Sequence, residues 1–310
     1  MKCCTGGRCL RAARAGTGRG VAGRPDRLER RTERPQTMAD STETVEHPAG
    51  TEAPAPPVLV EREGRVLAIS LNRPGNGNAI DMPLADALAD AVRQVDDGIG
   101  AVLILGEGKH FCLGGDLEEF GAAEEPGPFL DALATRLHES VAALAELDVP
   151  VVIGLHGGVG GAGMSLAGIG DVVVCGRSAK LRPAYLAVGL TPDGGMSWTL
   201  PRTMGRVRFM DLAMTGSVLR ATDALSMGVV SRVVDDDEVV GEASRLASQL
   251  ANGPTASYGR LKTLVRDGEQ RDLRSQLFAE ATAIGVSAGS PEGREGVAAF
   301  LEKRSPKFQG

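Results

Sequence analysis

The chain has 310 residues, 42% of them hydrophobic, and a formal net charge of −6, enough apolar content for a sizeable core in one large or two smaller domains. The charge is unevenly placed: residues 1–37 carry ten Lys and Arg against Asp26, Glu29 and Glu33, a balance of +7 that leaves −13 on the remainder. An acidic body of this kind excludes nucleic acid and anionic membrane as expected partners, and no apolar run reaches the roughly 18 residues that span a bilayer.

The basic, glycine-rich start shows no periodic apolar face, so disorder is expected over residues 1–57, including a flexible Pro/Ala/Glu linker after Met38. Met38 reads as a natural start, a simpler account than a transit peptide short of Ser, and the apolar centre of a secretory signal is missing. Cys3, Cys4 and Cys9 lack a second ligand pair at zinc spacing. Cys112 and Cys175 alone give no disulfide framework, which fits a reducing, cytoplasmic setting.

Folding is expected from Val58. VLVERE and RVLAISLN read as strands joined at Gly64, followed by the loop RPGNGNAID. MPLADALADAVRQVDD spaces its apolar residues as a helix behind Pro83, AVLILGEG is a buried strand, and FLDALATRLHESVAALAEL is a long amphipathic helix. VVIGL is a strand, GGVGGAG a glycine loop, MSLAGIG a short helix and DVVVCG another strand. Beyond Gly205 the pattern turns helical: RVRFMDLAMTG, DEVVGEASRLASQLAN, PTASYGRLKTLVRDG and the stretch from Glu269 to Val286. The expected plan is α/β over residues 58–250 and helical over 251–310.

Four local patterns compete for a function. GVGGAG, Gly158 to Gly163, fits the dinucleotide fingerprint, but only about seven helical residues separate it from the next strand and no acid ends that strand. GMSLA places Ser165 in a nucleophile elbow, yet His47, His110, His138 and His156 all precede it, the wrong chain order for an esterase. His110 and His156, beside glycine-bearing loops, read as structural, and neither His138 nor His47 invites a role. The two glycine turns, FCLGGDL and GGVGGAG, could pool free amides as an oxyanion hole or be no more than tight turns. In GLTPDGGMSWTLPR, Asp193 fits an N-cap for a helix starting near Gly194.

Five segments in order, LNRPGNGNAID, HFCLGGDLEEF, VIGLHGGVGGAGMSLAGIGDVVVCGRSAKL, MTGSVLRATDALSMGVVSRVV and EGVAAFLEKRSPKF, resemble the crotonase, or enoyl-CoA hydratase/isomerase, superfamily over Val58 to Gly310. The resemblance implies a spiral of ββα units with a C-terminal helical region that trimerises, giving a homotrimer or hexamer. It also implies a coenzyme A thioester as substrate, with no metal and no separate cofactor. By position it assigns the oxyanion amides to Gly115 and Ala162, with Leu113, Gly114, Asp116 and Gly161 beside them as contacts to the acyl-CoA.

Where typical hydratases carry two glutamates, this chain has Ser165 and Tyr185, so water addition is expected to be poor. The turn around Asp193 looks like that of the 1,2-epoxyphenylacetyl-CoA isomerase-like subgroup, in which an aspartate here is the catalytic acid/base. Dienoyl-CoA isomerases and 4-chlorobenzoyl-CoA dehalogenases also place an aspartate at this turn. The expected reaction is an isomerisation in which Asp193 shuttles a proton while Leu190, Met196 and Trp198 desolvate it. Tyr185 is expected to orient the acid or the substrate, or to pack, and Ser165 to line the pocket. The alternatives are a hydratase or lyase using Asp193, a dehalogenase, and a non-catalytic acyl-CoA-binding protein.

Overall fold

The computed structural model describes residues 55–308; the expectations placed on Met38, Cys3, Cys4, Cys9, His47 and the rest of residues 1–54 lie outside the described residues. β1 (Val58–Glu63) and β2 (Val66–Leu71) form an antiparallel hairpin turned at Gly64, whose φ of +58° a side chain would strain. Asp81 then caps α1 (Met82–Val92), its carboxylate accepting from the Leu84 amide at 2.9 Å. β3 (Ala101–Gly106), α2 (Leu117–Ala122), α3 (Pro126–Glu146) and β4 (Val151–Leu155) follow.

Next come β5 (Gly158–Gly160), α4 (Gly161–Ala167), β6 (Val172–Gly176), β7 (Lys180–Arg182), α5 (Met196–Met204) and α6 (Arg206–Thr215). β8 (Leu219–Arg220), α7 (Ala221–Ser226), β9 (Arg232–Val234) and α8 (Val239–Ala251) complete the sheets, and α9 (Thr255–Gly268), α10 (Leu273–Gly289) and α11 (Pro291–Leu301) end the chain.

The main sheet has the order β1-β2-β3-β4-β6-β9 and is parallel after the first hairpin; β5-β7-β8 form a second, small sheet. Strands buried on both faces carry the near-continuous apolar runs that parallel sheets require. Along them the side chains alternate: Ile69, Ile104, Ile153 and Val173 belong to the core that also holds the buried faces of α1 and α3, while Leu103, Val152 and Val174 pack under Ala243, Leu246 and Ala247 of α8. This is the expected α/β crotonase-type spiral with helices last.

Two expectations need correction. Gly158–Gly160, read as loop, is a strand, and α4 begins at Gly161, ahead of its apolar pattern. The region beyond Gly205 is not purely helical, because β9 pairs with β6 and β8 with β7. Strands of two or three residues cannot display an alternation, so their state is set by the neighbour they pair with.

Asn78 ties the loop after β2 to the segment that leaves β3. It is fully buried at φ +54°, a left-handed conformation that Asn tolerates; its Oδ1 accepts from the Arg73 amide, and its Nδ2 donates to the carbonyls of Glu107, His110 and Phe111 at 2.8–3.1 Å. Asn78→Asp sets a carboxylate against three carbonyls and should destabilise the fold by about 3 kcal/mol, read as a lower urea midpoint with an unchanged slope.

Candidate active site

Two backbone segments meet so closely that side chains are excluded from the contact. Cys112 bridges Val159, the Gly160 amide donates to the Cys112 carbonyl at 2.8 Å, and Gly114 stands at φ +116°. A Cβ on Gly160 would lie 2.7 Å from the Leu113 carbonyl, and one on Gly163 would run into the carbonyl of Cys112. On the other flank the Ile80 amide donates to Gly114 O at 2.7 Å and the Asp116 amide to Ile80 O at 2.9 Å. Between these bonds the Gly115 amide has no acceptor among the described residues. Neither has the Ala162 amide, which sits in the first turn of α4, where helical amides lack a partner.

Leu113, Gly114, Gly115, Gly161 and Ala162 all border a cavity of about 480 Å³. Asp116 does not. Its carboxylate caps α2 through the amides of Glu118 and Glu119, accepts from Asn76 Nδ2 at 2.7 Å and pairs with the Arg73 guanidinium at 3.3 Å, so it fastens the loop instead of meeting a ligand.

Asp193, in the segment before α5, borders the same cavity. The N-cap reading fails: α5 starts at Met196 behind Gly195, and no side chain caps it. The Tyr185 hydroxyl donates to Asp193 Oδ1 at 2.5 Å, and the Ser165 hydroxyl donates to the Asp193 carbonyl at 2.9 Å while lying 3.0 Å from Tyr185 Oη. Burial, and then the negative charge of Asp193, push the Tyr185 hydroxyl far above its ordinary value, so it remains a proton donor. Tyr185 thus borders the cavity while its hydroxyl is hydrogen-bonded to the Asp193 carboxylate. Ser165 is fully buried beneath the site and is not among the lining residues.

The rest of the wall is apolar, built from Leu117, Phe120, Leu130, Leu133, Val188 and Leu190, with the Phe120 and Phe129 rings edge to face at 6.0 Å. Among the described residues Asp131, Tyr185 and Asp193 are its ionisable ones, and no Lys, Arg or His borders it. Of the apolar neighbours expected for Asp193, Leu190 is present. Met196 is instead buried in the core, and Trp198 is 48% exposed under the Arg202 guanidinium.

The histidines divide. His110 accepts from the Gly158 amide and His156 contacts the Gly108 carbonyl, structural roles as expected. His138, given no role by the sequence, accepts from the Gly194 amide through Nε2 at 2.9 Å and stands 3.7 Å from Asp193 Oδ2. Leu130, Ala134 and Leu137 line the cavity at helical spacing, and His138 continues that face of α3, the one signal that could have found it. Cys112 and Cys175 are buried, and burial holds both thiols at about 12, too high for nucleophiles.

A parallel-sheet spiral that brings two unengaged amides and the carboxylate of Asp193 to a common cavity defines a crotonase-fold enzyme. The profile of the Enoyl-CoA hydratase/isomerase family matches residues 61–310, and the chain belongs to that family. It is 38% identical over 257 residues to the 1,2-epoxyphenylacetyl-CoA isomerase of Escherichia coli (strain K12), covering 82% of this chain and 98% of that one. It is 32% identical over 252 residues to 4-chlorobenzoyl coenzyme A dehalogenase-2 of Arthrobacter sp., covering 79% and 91%. The crystal structure of an enoyl-CoA hydratase from Polaromonas sp. JS666 matches with a TM-score of 0.77 at 32% identity, covering 81% of this chain and 98% of that one. One fold thus carries relatives named for three reactions, and the side chains at the site must choose among them.

The loop contact offers a direct check. Gly163→Ala drives a methyl group into the Cys112 carbonyl and should cost about 1–3 kcal/mol, seen as a lower melting temperature.

Proposed function

We propose that this enzyme is an enoyl-CoA isomerase, moving a double bond or rearranging a ring in an acyl-CoA thioester. The observation that carries the reading is Asp193, which borders the same cavity as the unengaged amides of Gly115 and Ala162 and whose carboxylate accepts from Tyr185; the family resemblance puts Ser165 and Tyr185 where a hydratase has its acids.

In this reading the thioester carbonyl accepts from both amides. As a proton leaves the α or γ carbon, negative charge grows on that oxygen and meets donors already in place; each such donor is worth about 3 kcal/mol. Asp193 takes the proton from one carbon and returns it to the other. Oδ1 is held by Tyr185, so Oδ2 is the oxygen that works. Water addition asks for a base on water and an acid at the α-carbon, and a protonated tyrosine does not replace the second carboxylate. The cation-free, apolar wall favours an uncharged acyl group.

Asp193→Asn keeps the shape of the side chain and should lower turnover of 3-hexenoyl-CoA by about 100- to 10,000-fold or more, with acyl-CoA binding by calorimetry nearly intact. The parental chain should hydrate crotonyl-CoA slowly beside that isomerisation. Fast hydration would move the reading to a hydratase, and tight binding with no turnover of any enoyl-CoA would remove the catalytic reading.

The reading extends to assembly. α10 has no buried residue, and Leu273, Phe278 and Ile284 on it, with Phe300 and Leu301 on α11, are each more than 70% exposed, a surface that a second and third copy would cover. Light scattering should give three or six times the chain mass, and a monomer at micromolar concentration would count against it.

A further inference from the structure

The Asp193–Gly194 peptide group is gripped at both ends by side chains from different helices. Its carbonyl oxygen accepts from Ser165 on α4 at 2.9 Å, and its amide donates to His138 Nε2 on α3 at 2.9 Å. Holding this planar group anchors the Cα of Asp193, which lies in the same plane, and so restricts where its side chain can start. Gly194 makes the grip geometrically open: its φ is +57°, and a Cβ there would lie 2.8 Å from the Cβ of Ser165.

The state of the imidazole is set by the same bond. A ring nitrogen that accepts carries no proton, so the proton of His138 is on Nδ1 and Nε2 has nothing to donate. At 3.7 Å, Asp193 Oδ2 lies outside hydrogen-bond distance of that nitrogen, and it has no donor among the described residues. Tyr185 occupies Oδ1, and Ser165 and His138 hold the backbone of a residue that borders the cavity.

We infer that His138 is a positioning residue for Asp193: by accepting the Gly194 amide it holds the catalytic turn against α3 and keeps Oδ2 unpaired for the substrate proton. The inference rests on the isomerase reading above. His138 need not touch the acyl group, and its contribution is an acceptor at a fixed place, which a glutamine amide oxygen supplies and a leucine does not.

The test compares His138→Leu with His138→Gln in the full chain, on 3-hexenoyl-CoA. Losing the acceptor should lower kcat by about 10- to 100-fold, the size expected when a catalytic group is misplaced by about 1 Å, with KM unchanged. His138→Gln should restore most of the parental kcat. Nitrogen-15 spectra of the parental chain should show the Nδ1–H tautomer of His138, with Nε2 shifted as an acceptor. Parental kcat in His138→Leu, or equal losses in the leucine and glutamine variants, would overturn the role. If the leucine variant does not fold, the spectra decide, and a proton on Nε2 overturns it. A parental chain that turns over no enoyl-CoA overturns the isomerase reading and this role with it, whereas an active parent with an indifferent leucine variant overturns this role alone.

Discussion

The site depends on a backbone approach that leaves no room for side chains. Residues 112–115 and 158–163 come from loops that leave different strands of the main sheet, and the sheet brings them together because β3 and β4 are adjacent and parallel. The contact is then made by main-chain atoms: the Gly160 amide on the Cys112 carbonyl, and the faces of Gly160 and Gly163 against Leu113 and Cys112. Two amides are left over when this contact is complete. Neighbouring donors are engaged elsewhere: the Gly160 amide on Cys112, the Leu113 amide on Gly77 and the Gly158 amide on His110.

Holding such a contact in register requires polar anchoring behind it. Asn78 and the Arg73–Asp81–Asp116 group supply it, because the loop between β2 and α1 reaches the first glycine segment through buried side-chain bonds. The Arg73 salt bridges are mostly shielded from water, so the acids beside that loop are matched by charge before any ligand arrives. Around Asp193 the same principle works with hydroxyls: Tyr185 holds its carboxylate and Ser165 its carbonyl.

The long elements were legible because their patterns are long. The strands β1, β2, β3, β4 and β6 and the helices α1, α3, α6, α8, α9 and α10 appear about where the sequence places them, whereas α11 went unread and β5, β8 and β9 are too short to show a pattern and exist through their partners. Asp193 was visible as a residue of interest from Pro and Gly around it, but local chemistry pointed to a cap; its facing of the cavity depends on Tyr185 and Ser165, eight and 28 residues away. Trp198 was misjudged for a simple geometric reason. Met196, Leu200 and Met204 recur every four residues on the buried face of α5, and Trp198 falls on the opposite side. Asp116 sits next to an unengaged amide in sequence, yet its side chain is drawn off by Arg73 and the start of α2. His138 stayed hidden because half-exposed helical histidines look alike until the facing turn is known.

The free amides belong to the main chain, and a codon change cannot delete a peptide N–H short of introducing proline. The groups that would decide which reaction occurs, at positions 138, 165, 185 and 193, are ordinary side chains on four separate stretches, each replaceable without unmaking the backbone contact. Such a division lets mutation sample new chemistry while the grip on the substrate is inherited intact. It gives a physical reason why a lineage built on this scaffold can spread into isomerases, hydratases and dehalogenases, and why overall identity is a poor guide to which of them a given descendant has become.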